Sequence, residues 1–117
     1  MTRIAVVGTC ASGKSTIVAA LRDRGHDAYA VAQEHSAIPR LWAHLAPERL
    51  VCLTVGLETL RRRRGDEAWP AWIYQLQLER LDSARRHADV IVETDYVSVD
   101  VVVETIVSAL SARPENG

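Results

Sequence analysis

The sequence predicts an α/β fold in which a short parallel sheet of about four strands is covered by helices on both faces, a three-layer α/β/α arrangement. Four short apolar runs lack alternating polar residues, which is typical of strands buried on both faces. Segments with apolar residues at helical spacing lie between these runs. Such an alternation requires right-handed crossovers and brings functional sites to the carboxyl ends of the strands.

The N-terminal part of the chain predicts a strand, a helix and a second strand. Residues 4–7, Ile-Ala-Val-Val, predict a central strand because every side chain is apolar. Residues 15–24 place apolar side chains on one helical face, and Gly25 is a natural stop for that helix. Residues 27–32 predict a second strand, weakened by alanine, and the polar cluster Gln-Glu-His-Ser at residues 33–36 follows it.

The middle of the chain continues the alternation. Two prolines leave room for at most a short helix in residues 37–49. Residues 50–55 predict a third buried strand, and residues 57–64 predict a short helix that stops at a glycine. Residues 65–71 are typical of a loop, and residues 72–87 predict one longer helix with an apolar face.

The C-terminal part predicts a last strand at residues 89–93 and a helix that begins after an N-cap at Ser98 and ends near residue 112. The polar tail 113–117 contains proline and glycine, and we expect it to be frayed. With 117 residues and no internal repeat or low-complexity linker, residues 1–117 are expected to form a single domain.

Composition and charge limit the classes of partner. Apolar residues make up 48%, charged residues make up 25% and the formal net charge is -1, so neither nucleic acid nor an anionic membrane is expected as a partner. No apolar run has the length of a membrane span, and the first residues do not resemble a signal peptide, so we expect a cytoplasmic location. Cys10 and Cys52 lack metal-ligand spacing and are expected to be free thiols.

A glycine-rich motif lies between the first predicted strand and the first predicted helix. Residues 8–15, Gly-Thr-Cys-Ala-Ser-Gly-Lys-Ser, match G-x-x-x-x-G-K-[ST] at every position. Glycines let the backbone curl around an anion, and successive amides together with the positive end of the helix face it. Lys14 adds a positive charge for the β and γ phosphates, and the Ser15 hydroxyl suits Mg²⁺.

This motif in this context predicts a P-loop NTPase-type fold that binds a nucleoside triphosphate, ATP or a close relative, with Mg²⁺. We call residues 8–16 the glycine-rich loop, and Thr16 is expected on the α-phosphate side. The alternative is a glycine-rich turn with a solvent-exposed lysine, which requires every fixed position to match by chance. The predicted nucleotide-binding residues of the loop are Gly8, Thr9, Cys10, Ala11, Ser12, Gly13, Lys14, Ser15 and Thr16.

The chain resembles the small-molecule and nucleotide kinases of the P-loop family, and its second half is most similar to the shikimate kinases. Residues 50–64 resemble the strand and short helix, L-x-x-x-x-E-T-L-x-x-R, that lead into an arginine-bearing lid. Residues 78–80 and 88–95 resemble the shikimate-kinase ending, in which an arginine lies eight residues before Ala-Asp and the strand ends in Thr-Asp. Residues 98–110 are similar to the last helix of the family. The resemblance implies transfer of the γ-phosphoryl group of ATP to a small metabolite.

Two features of the shikimate kinases do not occur in this chain. These are an Asp-x-Asp substrate site after the second strand and a Gly-Gly pair after the third. The stretch between Gly25 and Leu50 is also too short for a second strand with substrate-clamping helices and a separate metal-binding strand. The identity of the acceptor is therefore not carried over from the resemblance.

Several residues outside the loop are candidates for catalysis. Glu34, after the second strand, could hold the water shell of the metal or accept a hydroxyl proton, as a similar glutamate does in some nucleoside kinases. The alternative is a solvated loop carboxylate, and the adjacent His35 is more typical of a surface histidine than of a base. In the resembling kinases a lid arginine stabilises the transferring phosphoryl group. Arg61 or Arg64 is best placed for that role here. The alternative is that these arginines form a solvated basic face of the helix.

The resemblance also implies two binding roles. Arg80 would hold an anionic group of the acceptor, the alternative being an exposed helix arginine paired with Asp82 or Glu79. Asp95 and Tyr96 would form part of the adenine pocket, mainly through backbone groups.

Two functions remain open from the sequence. The first is an ATP-dependent kinase acting on a small hydroxylated or anionic metabolite. The second is a nucleotide-binding or weakly hydrolysing regulatory module that lacks an acceptor substrate. A phosphate-binding turn without nucleotide chemistry is a third possibility. The short segment 36–49 distinguishes the first two, because a kinase needs a pocket there for its acceptor.

Overall fold

The computed structural model describes residues 2–112 and contains a four-stranded, all-parallel sheet in the order β2-β1-β3-β4. Two turns of 3₁₀ helix, Gln33–His35 and Leu41–Ala43, lie between β2 and β3. The strands are β1 (Arg3–Gly8), β2 (Asp27–Ala30), β3 (Arg49–Thr54) and β4 (Val90–Glu93). Within these described residues the α-helices are α1 (Lys14–Asp23), α2 (Leu57–Arg64), α3 (Ala71–Arg80), α4 (Asp82–His87) and α5 (Val99–Ala112).

The strand order reverses at β1. This strand pairs with β2 on one side and with β3 on the other, and β4 continues outward from β3. The chain therefore leaves β1 in one direction and returns across it to reach β3. Such a reversal leaves a crevice outside the carboxyl ends of the strands, because successive connections depart in opposite directions. The glycine-rich loop, which follows β1, lies at this crevice.

Helices cover both faces of the sheet, because alternate side chains of each strand point to opposite faces. On one face α1 and α5 contribute Ile17, Leu21 and Ile106 to a core in which each is at most 2% exposed. On the other face Trp42, Leu81 and Ala84 pack against the sheet. The predicted fold class is thus confirmed as an α/β fold with a four-stranded parallel sheet, and its layering fits a three-layer α/β/α arrangement.

The predicted elements agree closely with the structure. All four strands are present, and α2 has the predicted bounds. Ser98 caps α5 as predicted, since its Oγ accepts a hydrogen bond from the Val101 N–H at 3.2 Å. The short helix allowed between the two prolines is the 3₁₀ turn Leu41–Ala43. The predicted frayed tail, 113–117, lies outside the described residues.

One predicted helix is wrong in its continuity. Residues 72–87 form two helices, α3 and α4, which are separated at Leu81. Leu81 has φ -89° and ψ -5°, and its N–H is shared by the carbonyls of Gln77 and Leu78, as in a tightened 3₁₀ turn. Leu81 is 1% exposed and packs on the sheet. The spacing of apolar residues identifies the buried face but does not reveal this local tightening.

No helix within residues 2–112 is long and apolar enough to cross a membrane.

Cys10 and Cys52 are free thiols, as predicted. Cys52 lies in the core, where burial raises the pKa of its thiol to about 11. Cys10 is partly exposed within the glycine-rich loop, so the two thiols occupy different environments.

Candidate phosphate-binding site

The two glycines of the motif are required for different physical reasons. At Gly8, a Cβ atom would lie 2.5 Å from the Oγ of Ser12 and 2.8 Å from the carbonyl oxygen of Leu53 on β3. Any side chain there would therefore displace either the loop or the central sheet. At Gly13, φ is +96°, a left-handed conformation that favours glycine. The course of the loop therefore requires glycine at both positions, through close approach at Gly8 and through backbone conformation at Gly13.

Three amides at the start of α1 have no acceptor within the described part of the chain: those of Lys14, Ser15 and Thr16. The first hydrogen bond of the helix runs from the Ile17 N–H to the Gly13 carbonyl at 2.9 Å. Helix geometry leaves the preceding amides without partners, and glycine offers no side chain to cap them. Together with the positive end of the helix dipole, these amides form a site that attracts an anion.

Lys14 and Glu34, both predicted to be catalytic, contact each other. The Lys14 Nζ donates to the carbonyl oxygens of Gly8 at 2.9 Å and Thr9 at 3.1 Å, and to Oε2 of Glu34 at 2.5 Å. The two side chains are 14% and 4% exposed, so the ion pair is poorly screened by water. The other oxygen of Glu34, Oε1, is buried without a hydrogen-bond partner. This buried oxygen could accept a hydrogen bond from a ligand.

Glu34 lies in a short turn that follows β2. The polar cluster after β2 forms the 3₁₀ turn Gln33–His35, in which Glu34 is 3% exposed and points towards Lys14. The side chain of His35, by contrast, is 61% exposed and its Nε2 lies 3.8 Å from the Glu34 carboxylate. Glu34 is therefore an interior carboxylate, whereas His35 lies at the surface.

An arginine of α2 and a threonine that follows β4 hold the loop from the other side. The Thr94 Oγ1 donates to the carbonyl oxygen of Ser12 at 3.0 Å, and Thr94 is 4% exposed. Arg63 donates to the carbonyl oxygen of Ala11 at 2.8 Å and to the carbonyl oxygen of Thr94. A guanidinium group is thereby held beside the loop.

The two arginines chosen from the sequence, Arg61 and Arg64, lie elsewhere. The Arg61 Nε donates to the carbonyl oxygen of Trp69 at 2.9 Å, and the Arg64 guanidinium lies 5.4 Å from the centroid of the Trp69 ring. Neither contacts the glycine-rich loop within residues 2–112. Successive helical residues point about 100° apart, so the four adjacent arginines cannot all face one point. Arg63 is the one that hydrogen-bonds to the loop.

Asp95 connects the ends of two strands. Its Oδ1 accepts a hydrogen bond from the Gly56 N–H, after β3, at 2.9 Å. Burial raises the pKa of the Asp95 carboxyl, but hydrogen bonds from Gly56 and the Thr59 hydroxyl, with the charge of Arg63, outweigh burial and hold the pKa below its usual 3.8. Tyr96 is 85% exposed. The Asp95 carboxylate is thus engaged within the protein, and Tyr96 projects into solvent.

A cleft of about 330 Å³ opens beside the loop, and we call it the loop cleft. Its lining combines loop backbone, the Arg63 guanidinium and aliphatic side chains from α1 and the start of α5. A cleft with apolar walls and one planar cation suits a flat heteroaromatic group. Val97 and Val99 line it, rather than the predicted Asp95 and Tyr96.

Arg80 lies beside Glu34. Its Nη1 donates to the backbone carbonyl of Glu34 at 3.4 Å, and its side chain lines a second cleft of about 340 Å³. We call this second cleft the Arg80 cleft, and its lining includes Ser36, Ser83 and Arg86. Glu79 and Asp82 also line this cleft, and Asp82 pairs with Arg86 at 2.8 Å. Arg80 is in none of the ion pairs among residues 2–112, so with the serine hydroxyls it could bind a hydroxylated molecule that carries an anionic group.

The available oxygen donors fit Mg²⁺ bound together with phosphates. The Ser15 hydroxyl is exposed at the start of α1, and Glu34 Oε1 is a buried oxygen without a partner. Among residues 2–112, no cluster of three or more His, Cys, Asp or Glu side chains could hold a metal alone. Mg²⁺ prefers oxygen ligands and keeps water and phosphate oxygens in its shell, so one or two protein oxygens suffice.

The sequence reasoning missed Gln77 of α3. This side chain is 2% exposed, accepts a hydrogen bond from the Cys10 N–H at 2.9 Å and donates one to the Cys10 Sγ at 2.8 Å. No local pattern connects two residues that are 67 positions apart. One signal was available, because Gln77 lies three residues after Tyr74 and four before Leu81, on the face predicted to be buried.

Comparisons with known proteins assign no family to the chain. No protein-family model matches it, and a search of curated proteins finds no significant match. The function is therefore inferred from the motif and from the geometry around it.

Proposed function

We propose that the chain is a P-loop NTPase-type cytoplasmic protein that binds a nucleoside triphosphate, ATP or a close relative, with Mg²⁺, and transfers the γ-phosphoryl group to a small acceptor. One observation carries this proposal. Three amides without acceptors in residues 2–112 and the Lys14 ammonium group meet where the strand order reverses. Open α/β sheets bind ligands at such reversals, and helix N-termini bind phosphates there.

The donor nucleotide extends from the loop into the loop cleft. Its phosphates accept hydrogen bonds from the amides of residues 14–16, and the Ser15 hydroxyl holds Mg²⁺. Mg²⁺ held there would offset part of the negative charge of the phosphates. The base lies in the loop cleft, where the Arg63 guanidinium offers a cationic surface and the valines offer an apolar one. This assignment uses Val97 and Val99 in place of Asp95 and Tyr96.

Lys14 exchanges partners when the phosphates enter. Its Nζ, now bound to Glu34 and two loop carbonyls, turns to the β and γ phosphate oxygens. The released Glu34 carboxylate accepts the proton of the acceptor hydroxyl. The hydroxyl oxygen forms a bond to the γ phosphorus as the bond to the β–γ bridging oxygen breaks, and Lys14 stabilises the charge on the transferring group.

The acceptor occupies the Arg80 cleft. Because Arg80 contacts the backbone of Glu34, a molecule held by Arg80 lies close to the carboxylate that accepts its proton. The class of acceptor that fits is a small molecule with a hydroxyl group and an anionic group. The kinase hypothesis thus uses both clefts, the loop cleft for the base and the Arg80 cleft for the acceptor.

A second function, nucleotide binding or weak hydrolysis without an acceptor, is favoured by one observation. The segment before β3 carries only a single 3₁₀ turn after Pro39, and Ala37, Pro39 and Arg86 of the Arg80 cleft are exposed. An open cleft leaves the γ phosphate accessible to water. Slow hydrolysis would then accompany a regulatory role.

Calorimetric titration with Mg-ATP tests the proposal, using wild type, Lys14→Ala and Arg62→Ala as a control that removes an exposed cation. Loss of charge-assisted hydrogen bonds should weaken binding by about 10- to 100-fold in Lys14→Ala and leave the control unchanged. Lys14 is the only lysine in the sequence, so amine-reactive labelling followed by mass mapping reports directly on nucleotide protection of the loop. Absence of binding by wild type would refute both functions.

A panel of small hydroxylated anions then separates the two functions. Formation of ADP above the rate in water, with a phosphorylated acceptor detected by mass spectrometry, supports the kinase. Retained binding with the same rate of ADP formation for every acceptor supports the regulatory module. Arg80→Ala should raise the KM for an accepted molecule while the Kd for Mg-ATP stays unchanged.

A further inference from the structure

One face of α3 contacts three parts of the candidate site. Tyr74, Gln77 and Arg80 follow one another at intervals of three residues, so their side chains lie on the same side of the helix. The Tyr74 hydroxyl donates to the carbonyl oxygen of Val55 at 2.8 Å, after β3. Arg80 contacts the backbone of Glu34, and Gln77 contacts Cys10. A single helix therefore touches the β3 end, the glycine-rich loop and the Glu34 turn.

The contact made by Gln77 differs from the other two because it uses both ends of the side-chain amide on one loop residue. Oε1 accepts from the Cys10 N–H at 2.9 Å, and Nε2 donates to the Cys10 Sγ at 2.8 Å. Burying an amide costs free energy unless its groups are paired. Gln77 is 2% exposed, and both of its polar groups are paired through Cys10. An apolar residue of the same size would pack equally well and would leave the Cys10 amide unpaired.

This pairing determines which loop amides are free. The Cys10 N–H points to α3, and the Ser12 N–H is bound to the Thr9 carbonyl at 3.2 Å. The amides of Ala11 and Gly13 and those at the start of α1 have no acceptor among residues 2–112, so these are the amides that remain for an anion. Release of the Cys10 amide would let the first half of the loop rotate, because Ala11 is held at φ +57°, a conformation that alanine rarely adopts unaided.

We propose that Gln77 is a positioning residue of the phosphate site: by holding Cys10 from α3, it keeps the first half of the glycine-rich loop in the shape that leaves the second half open to triphosphate. The inference rests on the proposed function for its ligand. It adds a residue from outside the motif to the nucleotide-binding machinery.

Gln77→Met tests the inference, because methionine is unbranched and similar in length but has neither a strong donor nor a strong acceptor. The matched control is Gln75→Met, the same change at an exposed position two residues earlier on α3. Two readouts are measured on each full-length variant. The first is the Kd for Mg-ATP by calorimetry, and the second is the rate of Cys10 alkylation by iodoacetamide without nucleotide, assigned by peptide mass mapping.

Mass mapping separates the two cysteines, and Cys52 provides an internal reference because it is fully buried and its pKa is raised by burial to about 11. Gln77→Met should raise the Kd about tenfold and speed alkylation of Cys10 several-fold, while Gln75→Met matches wild type in both. A change in thermal stability alone, with both readouts equal to those of the control, would overturn the inference.

The alkylation readout distinguishes failure of this inference from failure of the proposed function. If wild type binds no triphosphate but Gln77→Met still speeds Cys10 alkylation, the nucleotide function fails and Gln77 remains the residue that positions the loop. If wild type binds Mg-ATP and Gln77→Met binds it equally well, the nucleotide function stands and the inference fails. Should Gln77→Met not fold, Gln77→Asn gives the same test, since it keeps a polar group that is one methylene too short to reach both atoms of Cys10.

Discussion

Replacing Glu34 with glutamine should destabilise the protein and slow phosphoryl transfer by about 100-fold or more while leaving the phosphate-binding amides in place. The substitution keeps the size of the side chain and removes its charge. In the wild-type protein the Lys14 Nζ and Glu34 Oε2 lie 2.5 Å apart, and their side chains are 14% and 4% exposed. The change therefore leaves an interior ammonium group without its counter-charge.

The magnitude follows from the separation and the burial. At an effective dielectric constant of about 20, two unit charges at this distance attract by about 7 kcal/mol, but desolvation cancels most of that attraction. Removing one partner of a buried pair costs about 3 to 5 kcal/mol. Lys14 keeps its bonds to the carbonyls of Gly8 and Thr9, so we expect a loss at the lower end of that range, about 3 kcal/mol.

The assay is thermal unfolding at pH 7 of wild type, Glu34→Gln and Glu67→Gln, a matched change at an exposed position. For a domain of this size the expected loss lowers Tm by about 10 °C in Glu34→Gln, and the control should match wild type. Equal Tm values for the two variants would refute the claim that the Lys14–Glu34 pair stabilises the fold.

The same variant separates binding from catalysis. Because Glu34 competes with the phosphates for Lys14, Glu34→Gln should bind ATP without magnesium at least as tightly as wild type. Phosphoryl transfer should fall by about 100-fold or more, since the proton acceptor is lost. Weaker ATP binding in the absence of magnesium would contradict the exchange of partners by Lys14.

Two further predictions concern the residues that surround the loop. Arg63→Ala should raise the Kd for Mg-ATP about tenfold in calorimetry, whereas Arg62→Ala, a control on the same helix, should not change it; equal effects would exclude a special role for Arg63. Because the pKa of Asp95 lies below 3.8 in the folded protein, its stabilisation is complete above that pH and is lost as the pH falls through the folded pKa. At pH 7 the free energy of unfolding of Asp95→Asn, measured with urea, should therefore be about 1 kcal/mol lower than that of wild type. The difference should shrink at pH 2. A difference independent of pH would contradict this.

Most of the fold was predictable because its signals are local. Each strand is a short apolar run, and each helix except one carries its own periodicity and stop signal, as in α2 with Gly65. The exception is the break at Leu81. A helix can tighten there without a proline or glycine, because packing on the sheet, rather than local sequence, sets the backbone of Leu81.

The surroundings of the loop were only partly predictable. Glu34 was identified because a carboxylate that follows a parallel strand lies at the ligand-binding edge of the sheet. Which of four consecutive arginines hydrogen-bonds to the loop was not predictable, since it depends on the rotation of α2 about its axis; it is Arg63, whereas Arg61 bonds to Trp69. Gln77 was missed because a buried polar residue on an apolar helix face does not reveal its partner when that partner lies far away in the sequence.

The sequence by itself determined the alternation of strands and helices and the course of the glycine-rich loop. Both depend on interactions between residues close in the chain: side-chain periodicity, the approach of the Ser12 Oγ to Gly8 and the positive φ of Gly13. The tertiary structure decided which distant side chains reach that loop, namely Glu34, Arg63, Gln77 and Thr94. Their positions follow from strand order, helix rotation and packing, which are properties of the whole assembled sheet and have no signature in a short segment of sequence.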